Sequence, residues 1–333
     1  MSELRKDPIT GRWVIVAPDR VKRPTDFHLE RPTVAGRDTC PFCEGREHMT
    51  PPEVLAYRAG GGVANGPGWD VRVVPNKFPA MAVEGELNVK AGGLFERMDA
   101  VGSHEVLIES PRHDDTLATM SVEQIERVLR AFRDRAVALA RDPRFQSVVL
   151  FKNHGATAGA TLEHPHAQLI ALPIVPGFVR EELDGARRYF DAVKRCVFCD
   201  LIQHESDALE RVIEATADFL VVSPYASRFP FETWLLPKGH SARFVDYPDR
   251  RFEHLARALK TAAARIDRAL GGPDYNLVLH SSPLLEDAAS SYHWHIEIVP
   301  RLARVAGFEW GTGFYVNHTS PEDAARALRS VEF

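Results

Sequence analysis

Apolar and polar residues recur with two different periods along this chain. In residues 121–141 the apolar side chains return every three or four positions, as on one face of an amphipathic helix, and residues 251–270 form a second amphipathic stretch. Each stretch is followed by a short apolar run typical of a buried strand, at residues 147–152 and 276–279. The pattern therefore predicts a helix followed by a strand, and it predicts this pair twice.

The two halves share more than this pattern. Each contains, in the same order, a Cys-x-x-Cys pair, a Glu followed eight residues later by a His, and a His-x-His. The gap from the isolated His to the His-x-His is 51 residues in the first half and 53 in the second. Accidental recurrence is the alternative, but the matching order and near-equal gaps favour an internal duplication. The matched residues are Cys40 and Cys43 with Cys196 and Cys199, Glu105 and His113 with Glu232 and His240, and His164 and His166 with His293 and His295.

This duplication predicts an α+β fold of two tandem modules, residues 1–175 and 176–333. In each module we expect an antiparallel sheet with one principal helix packed across it. The strand-like run of each module ends at a histidine, His154 or His280.

The composition is that of an ordinary globular protein. The chain has 333 residues, of which 44% are hydrophobic and 26% charged, and its formal net charge is -5. This charge argues against general affinity for nucleic acid, so a substrate that carries phosphate needs locally placed cations or amide dipoles. Residues 1–13 lack the apolar core of a signal peptide, and no apolar run reaches about 18 residues. We therefore expect a cytoplasmic protein that binds neither nucleic acid nor membranes.

All four cysteines belong to the two Cys-x-x-Cys pairs. In a reducing compartment this spacing leaves two interpretations, a redox dithiol or a metal site. The polar sequence around Cys40 favours a metal-binding loop, and the duplicated histidines complete two Cys2His2 sets, which are typical ligands of structural zinc. We expect site one from Cys40, Cys43, His113 and His164, and site two from Cys196, Cys199, His240 and His293.

His166 is the candidate catalytic residue. Residues two apart in a strand face the same side, so His166 shares a face with His164 and Gln168. If zinc holds His164, the nearby imidazole of His166 is fixed and free of metal, and a neutral imidazole is a nucleophile toward phosphorus. Gln168 supplies an amide donor, and the Gly-rich segment 153–161 lets main-chain N–H groups approach phosphates. The alternative, a further zinc ligand or an ordinary strand histidine, is disfavoured by the closed set of four ligands.

The second module differs at the corresponding positions. Glu297 stands where the first module has Gln168, and Ser-Ser-Pro-Leu at residues 281–284 replaces the Gly-rich segment. A carboxylate repels phosphate. We therefore predict that the second module is mainly structural.

Four motifs of the first module extend this interpretation: Cys-x-x-Cys, Ser110-Pro111-Arg112-His113, Asn153-His154-Gly155 and His164-Pro165-His166-Ala167-Gln168. Together they resemble the galactose-1-phosphate uridylyltransferases of the histidine-triad superfamily, and the resemblance extends over nearly the whole chain. It implies two histidine-triad-like modules, a homodimer and a ping-pong reaction. UDP-glucose would transfer UMP to His166 and release glucose 1-phosphate, and galactose 1-phosphate would then accept the UMP.

The same resemblance implies substrate contacts. A basic segment with Arg20 and Arg23 resembles the family segment that reaches phosphates from the partner subunit, although by itself it is typical of a solvated basic loop. Glu309 matches a glutamate that contacts the sugar. The family's nucleotide contacts carry over onto Asn153, Thr161 and Gln168.

Two features resemble a different branch of the family, the one that contains ADP-glucose phosphorylase. They are residues 307–313 and the second Cys-x-x-Cys pair, and that branch carries adenylate and uses phosphate as acceptor. Pro165 stands where that branch commonly has Ser, which favours uridylyl transfer. The sequence therefore predicts a UDP-glucose–hexose-1-phosphate uridylyltransferase of galactose metabolism, with adenylyl transfer through the same histidine as the alternative. A zinc-stabilised binding module without turnover is disfavoured, because His166 and Gln168 are both present.

The second metal site has two interpretations. Some relatives bind iron there through one Glu and three His, and His293 would belong to that set and to the cysteine set alike. Thiolate ligands favour zinc, so two zinc sites are the prediction and iron at the second is the alternative. The residues that match the iron set are Glu182, His280, His293 and His295.

Overall fold

The computed structural model describes residues 3–16 and 36–333. The first half contains the predicted helix and the predicted strand after it, preceded by short strands. Its elements are β1 (Glu3–Lys6), β2 (Trp13–Val16), β3 (Leu55–Tyr57), β4 (Val71–Pro75), β5 (Lys90–Gly92), β6 (Phe95–Arg97), β7 (Ser103–Ile108), α1 (Val122–Leu139), β8 (Ser147–His154) and β9 (His166–Leu172).

The second half repeats this succession after two helices that link the halves. Within the described ranges, no helix is both long enough and apolar enough to cross a membrane. The elements are α2 (Gly177–Val193), α3 (Val197–Ala208), β10 (Val212–Ala215), β11 (Phe219–Val222), β12 (Thr233–Pro237), α4 (Phe252–Leu270), β13 (Tyr275–His280), β14 (His295–Pro300), α5 (Gly307–Thr312), β15 (Tyr315–Asn317) and α6 (Pro321–Arg329).

Ten strands form one antiparallel sheet in the order β3-β4-β7-β9-β8-β13-β14-β12-β11-β10. From the two edges toward the centre the halves present equivalent strands, β4-β7-β9-β8 in the first and β11-β12-β14-β13 in the second. The halves join where β8 pairs with β13, with His154 opposite Tyr275 and Leu150 opposite Leu279. The structure thus confirms an α+β fold of two tandem modules. Because the modules share one sheet, the boundary at residue 175 stays a prediction.

The two principal helices pack on the same side of this sheet. Helix α1 begins after Ser121, whose hydroxyl accepts a hydrogen bond from the main-chain N–H of Gln124 at 3.1 Å. Helix α4 ends at Gly271, whose φ of 70° lies in the left-handed region typical of helix C-termini. Both predicted helices are confirmed, with ends that differ from the prediction by at most two residues. Their apolar faces share one core with strand residues that include Leu107, Leu150, Leu169, Leu235, Leu277 and Ile296.

The opposite face of the sheet is covered differently in the two halves. In the second half, α2 and α3 pack on it, so β11 directs Phe219 and Val221 to the main core but Leu220 and Val222 toward these helices. In the first half, a smaller apolar cluster that includes the loop residue Phe42 lies on this face. The candidate catalytic residues belong to the first-half part of this face.

Helix α2 packs closely against the beginning of the chain. A Cβ added at Gly185 would come 1.8 Å from the main-chain oxygen of Ile9, so only glycine permits this approach. Strands β1 and β2 form a small sheet with β15 from the other end of the chain. Helix α2 is thus fixed between the second module and the N-terminal hairpin formed by β1 and β2.

Candidate active site and metal centres

The structure brings together two groups of two cysteines and two histidines. In each group the four ligand atoms lie within 4.8 Å of one another. The groups contain the residues of both predicted zinc sites, namely Cys40, Cys43, His113 and His164, and Cys196, Cys199, His240 and His293.

In site one, the Sγ atom of Cys43 lies 3.4 Å from Nδ1 of His113 and 3.6 Å from Nδ1 of His164. The Nε2 atom of His164 is 2.7 Å from the main-chain oxygen of Ser110. Because a carbonyl oxygen only accepts, Nε2 carries the proton and Nδ1 directs its lone pair at the thiolates. Tetrahedral zinc, with bonds of about 2.3 Å to sulfur and about 2.1 Å to nitrogen, separates S and N by roughly 3.6 Å. The residues therefore fit a zinc ion.

Site two repeats this geometry closer to the surface. The Sγ atom of Cys199 lies 3.3 Å from Nδ1 of His240 and 3.7 Å from Nδ1 of His293. Each Nε2 again faces a main-chain oxygen, that of Ala289 at 2.7 Å and that of Pro237 at 2.8 Å. Both histidines are thus held in the tautomer that ligates through Nδ1. His240 is exposed, whereas both histidines of site one are buried.

His166 is the first residue of β9, and its imidazole is fixed from two sides. Its Nδ1 lies 2.8 Å from the main-chain oxygen of His164, so Nδ1 donates the ring proton and Nε2 keeps its lone pair. The Phe42 ring packs edge-on at 5.4 Å between centroids. Burial lowers the pKa of His166 to about 4, which keeps the ring neutral near pH 7. Among the described residues its Nε2 has no hydrogen-bond partner, so this atom can act as a nucleophile.

A buried ion pair lies behind His166. The Nζ atom of Lys152 is 2.6 Å from Oε2 of Glu109 and 3.1 Å from the main-chain oxygen of His166. The pair holds the backbone of β9 against β8, and it was missed in the sequence. The available signal was a lysine at the end of an otherwise apolar run.

Gln168 is held by a histidine that no motif had indicated. The main-chain N–H of Ala80 donates to Nδ1 of His104 at 3.1 Å, so the proton of this ring is on Nε2. That Nε2 donates to Oε1 of Gln168 at 2.8 Å. The amide nitrogen of Asn76 lies 3.1 Å from the same Nε2, but since both groups are donors they form no hydrogen bond with each other. The NH2 end of Gln168 is therefore left available for another acceptor.

The Gly-rich segment turns sharply between β8 and β9. Gly155 and Gly159 have φ values of 81° and 93°, which favour glycine. At Gly155 space also requires glycine, because an added Cβ would come 2.0 Å from Oδ1 of Asp274. Asn153 lies half-buried at the start of this segment, and Thr161 is exposed near its end.

The second His-x-His has the same local geometry as the first, but other side chains cover its second histidine. The Nδ1 atom of His295 lies 3.2 Å from the main-chain oxygen of His293, and the Phe198 ring packs at 5.2 Å. The ring of His280 stacks on His295, however, with centroids 4.5 Å apart and planes at 9°. The Nε2 atom of His295 is buried without a hydrogen-bond partner. The ring orientation of the candidate nucleophile is therefore repeated, but His295 is only 1% exposed whereas His166 is 8% exposed.

Helix α2 contributes a carboxylate to this sealed site. Glu182 Oε2 lies 3.1 Å from Nδ1 of His280, and Glu297 Oε2 lies 3.2 Å from its Nε2. Although burial disfavours the charged ring, these carboxylates raise the pKa of His280 to about 10. Glu297 is also paired with Arg228. The second module thus holds a buried ionic network where the first holds its candidate site.

The residues predicted for an iron site are divided between two clusters. Glu182, His280 and His295 form a third group of candidate ligands within 4.8 Å of one another. His293 instead directs its Nδ1 at Cys199, in the cysteine group. The structure therefore separates the cysteine set from the Glu-containing set, and His293 belongs to the former.

Of the three remaining predicted substrate contacts, the structure describes only Glu309. Arg20 and Arg23 fall outside the described residues, so their predicted role stays a prediction. Glu309 lies on α5, beside the small sheet rather than the sheet that carries His166. Its Oε2 accepts a hydrogen bond from the main-chain N–H of Ala306 at 3.0 Å.

Both halves of the chain match models of one protein family. Residues 1–176 match the N-terminal domain of galactose-1-phosphate uridyl transferase, and residues 182–330 match its C-terminal domain. The chain is 38% identical over 335 residues to the ADP-glucose phosphorylase of Arabidopsis thaliana, covering 99% of this chain and 93% of the relative. It is 28% identical over 341 residues to the galactose-1-phosphate uridylyltransferase of Thermotoga maritima, covering 100% and 99%.

Solved structures show the same two likenesses. The crystal structure of the Arabidopsis thaliana ADP-glucose phosphorylase with bound ADP-glucose superimposes with a TM-score of 0.85 at 36% identity, and the match covers 100% of both chains. A structure of uridylyltransferase matches with a TM-score of 0.77 at 27% identity, covering 99% of this chain and 98% of that chain.

Proposed function

This chain belongs to the galactose-1-phosphate uridyl transferase family of nucleotidyltransferases, and from that premise we propose that it is an ADP-glucose phosphorylase acting through a covalent adenylyl intermediate on His166. In the proposed reaction ADP-glucose is the donor and inorganic phosphate the acceptor. The likeness to a relative named for that activity supports this choice, since it exceeds the likeness to the named uridylyltransferases in both sequence identity and TM-score.

The observation that carries the proposal is the fixed tautomer of His166. Its Nδ1–H is directed at the main-chain oxygen of His164, 2.8 Å away, so the free lone pair is on Nε2. This atom would attack the α-phosphorus of the nucleotide sugar, forming a P–N bond as the P–O bond to glucose 1-phosphate breaks. An oxygen of inorganic phosphate would then attack the same phosphorus, release the histidine and form ADP. The main-chain oxygen stabilises the positive ring of the intermediate.

The donors that we propose for the phosphate oxygens are neutral groups, because the neighbouring cation Lys152 is already paired with Glu109. The NH2 end of Gln168 supplies a donor for the phosphate oxygens. In the turn at residues 155–161, the main-chain N–H groups of residues 157–160 are already hydrogen-bonded to Asp274, Gly155 and Ala156. The predicted basic residues Arg20 and Arg23 would add positive charge from the partner subunit of a homodimer. Sedimentation analysis of the purified protein tests that assembly.

We assign zinc to both Cys2His2 sites as a structural ion. Bound zinc would hold the Cys-x-x-Cys loop, the turn at His113 and the backbone before His166 in one place. For the third group, Glu182 and both ring nitrogens of His280 are already engaged with each other and with Glu297. This favours an ionic network over iron there. Elemental analysis of the purified protein should give two zinc ions per chain.

The deciding experiment is covalent trapping. The protein is incubated separately with ADP-glucose and UDP-glucose, quenched with acid-free denaturant, and its intact mass is measured. We expect the mass of an AMP adduct from ADP-glucose. His166→Ala should bind zinc normally and form no adduct, whereas the matched change His295→Ala in the sealed copy should leave adduct formation intact. An adduct that persists in His166→Ala would reject the assignment of the nucleophile.

Uridylyl transfer is the second candidate. Pro165, at the position where the adenylyl branch commonly has Ser, is the observation that favours it. A UMP adduct from UDP-glucose, discharged by galactose 1-phosphate and not by phosphate, would replace the adenylyl proposal while keeping the same histidine.

A further inference from the structure

The second module touches the candidate site of the first along the seam between β8 and β13. In this antiparallel pair Asn276 stands directly opposite Asn153. The two side chains meet on one face of the sheet, with Nδ2 of Asn276 2.8 Å from Oδ1 of Asn153. Asn276 of the second module therefore contacts Asn153, a predicted nucleotide-binding residue of the first module.

The polarity of this contact is determined by a main-chain group. The same Nδ2 of Asn276 lies 2.8 Å from the main-chain oxygen of Ala158. A carbonyl oxygen only accepts, so the end of Asn276 that faces both partners is its NH2 group. The atom of Asn153 that faces Asn276 is then its oxygen. The NH2 group of Asn153 is directed to the other side, where an ideal Cβ placed on Gly159 would lie 3.7 Å from it.

This polarity matters because the two ends of a side-chain amide act oppositely on a phosphate. Phosphate oxygens only accept hydrogen bonds, so the NH2 end attracts them and the carbonyl end repels them. An asparagine that rotates freely presents either end. We propose that Asn276 is a positioning residue of the second module that holds Asn153 with its NH2 group toward the phosphates of the nucleotide sugar. This inference rests on the proposed function and adds a role for the second module.

A neighbouring contact offers a control. Asp274, two residues before Asn276, accepts hydrogen bonds from the main-chain N–H and the hydroxyl of Thr157, each at 2.7 Å. Asp274 therefore supports the turn itself through Thr157. Its loss should weaken the site independently of Asn153.

The test is a double-mutant cycle on the rate of adduct formation in a single turnover. Asn276→Ala should slow adduct formation about tenfold, the effect of one weakened hydrogen bond to a charged group. In the background Asn153→Ala, the same change should slow it by a clearly smaller factor, because the residue through which Asn276 acts is gone. The slowing that remains reports the lost hydrogen bond from Asn276 to the main-chain oxygen of Ala158. Asp274→Ala should slow both backgrounds by the same factor. Thermal stability and zinc content are expected to stay within the range of the parent protein.

A substitution of equal shape tests the polarity. Asn276→Asp replaces the donor by an acceptor, so Asn153 should turn its NH2 group inward and present its oxygen to the phosphate. We expect Asn276→Asp to be slower than Asn276→Ala, and Asn153→Ala to remove most of that difference. Any difference in rate between Asn276→Asp and Asn276→Ala that remains in the Asn153→Ala background measures direct repulsion of the phosphate by the new carboxylate. Equal rates for the two variants, or full additivity with Asn153→Ala, would overturn the proposal.

The covalent step can be separated from positioning. In the background His166→Ala, the affinity for ADP-glucose is measured by calorimetry with and without Asn276→Ala and Asn153→Ala. Suppose that the effects of Asn276→Ala and Asn153→Ala on affinity are coupled, but the parent protein forms no adduct. This result would reject the covalent function and retain the role of Asn276. Coupling in neither measurement, or no binding at all, would reject the role of Asn276.

Discussion

Replacing the lysine behind His166 tests how far the site depends on its buried charge. Lys152 Nζ lies 2.6 Å from Oε2 of Glu109, and the two side chains are only 3% and 2% exposed. Lys152→Met keeps the length of the side chain but leaves the carboxylate buried without a partner, which costs about 3–5 kcal/mol. The main-chain oxygen of His166 also loses its donor at 3.1 Å. We therefore expect the free energy of unfolding to fall by about 4 kcal/mol.

The double variant Lys152→Met with Glu109→Leu distinguishes the effect of the unpaired Glu109 carboxylate from the effect of changed packing. Apolar pairs of similar volume often replace a buried ion pair at little cost, so most of the lost stability should return. Urea unfolding in zinc-containing buffer, followed by circular dichroism, compares the three proteins under one condition. If the double variant is no more stable than Lys152→Met alone, the unpaired charge is not the cause of the loss and the reasoning is refuted.

Three further predictions test the loop, the sealed network and the metal sites. Gly155→Ala should abolish adduct formation without loss of zinc, because its Cβ would collide with Asp274 at 2.0 Å; normal adduct mass would contradict this. Burial opposes charge on His280, but the carboxylates of Glu182 and Glu297 raise its pKa to about 10. Their pairing with His280 therefore stabilises the fold fully below about pH 6.5 and less as pH rises through 10, and Glu182→Gln should flatten this decline in thermal stability. A chelator should remove zinc first from site two, whose histidine is exposed, while adduct formation continues; simultaneous loss of both would contradict this order.

The sequence predicted features that depend on repetition and spacing. Both Cys2His2 groups could be predicted because their ligands recur in the same order in the two halves. The repeated strand order of the two halves reflects the same duplication. Contacts that depend on register could not be predicted. The distance from Lys152 to Glu109 is set by strand pairing, and that from Asn276 to Asn153 by the junction of two modules. Hydrophobic periodicity carries no information on which strands meet at such a junction.

The two copies differ in what surrounds the second histidine of the His-x-His, which is the proposed nucleophile in the first copy and is covered in the second. In each, the second His of the His-x-His donates Nδ1–H to the main-chain oxygen of the first and packs beside the Phe of the Cys-x-x-Cys pair. The copies differ in the side chains that cover the free ring nitrogen of this histidine. Helix α2 places Glu182 against the second copy, and His280 stacks on His295, so the free nitrogen there is sealed. Glu297, which stands where the first copy has Gln168, is paired with Arg228 and His280 in this covered copy. The second copy still contacts the candidate site of the first, because its strand β13 pairs with β8 and contributes the donor that faces Asn153.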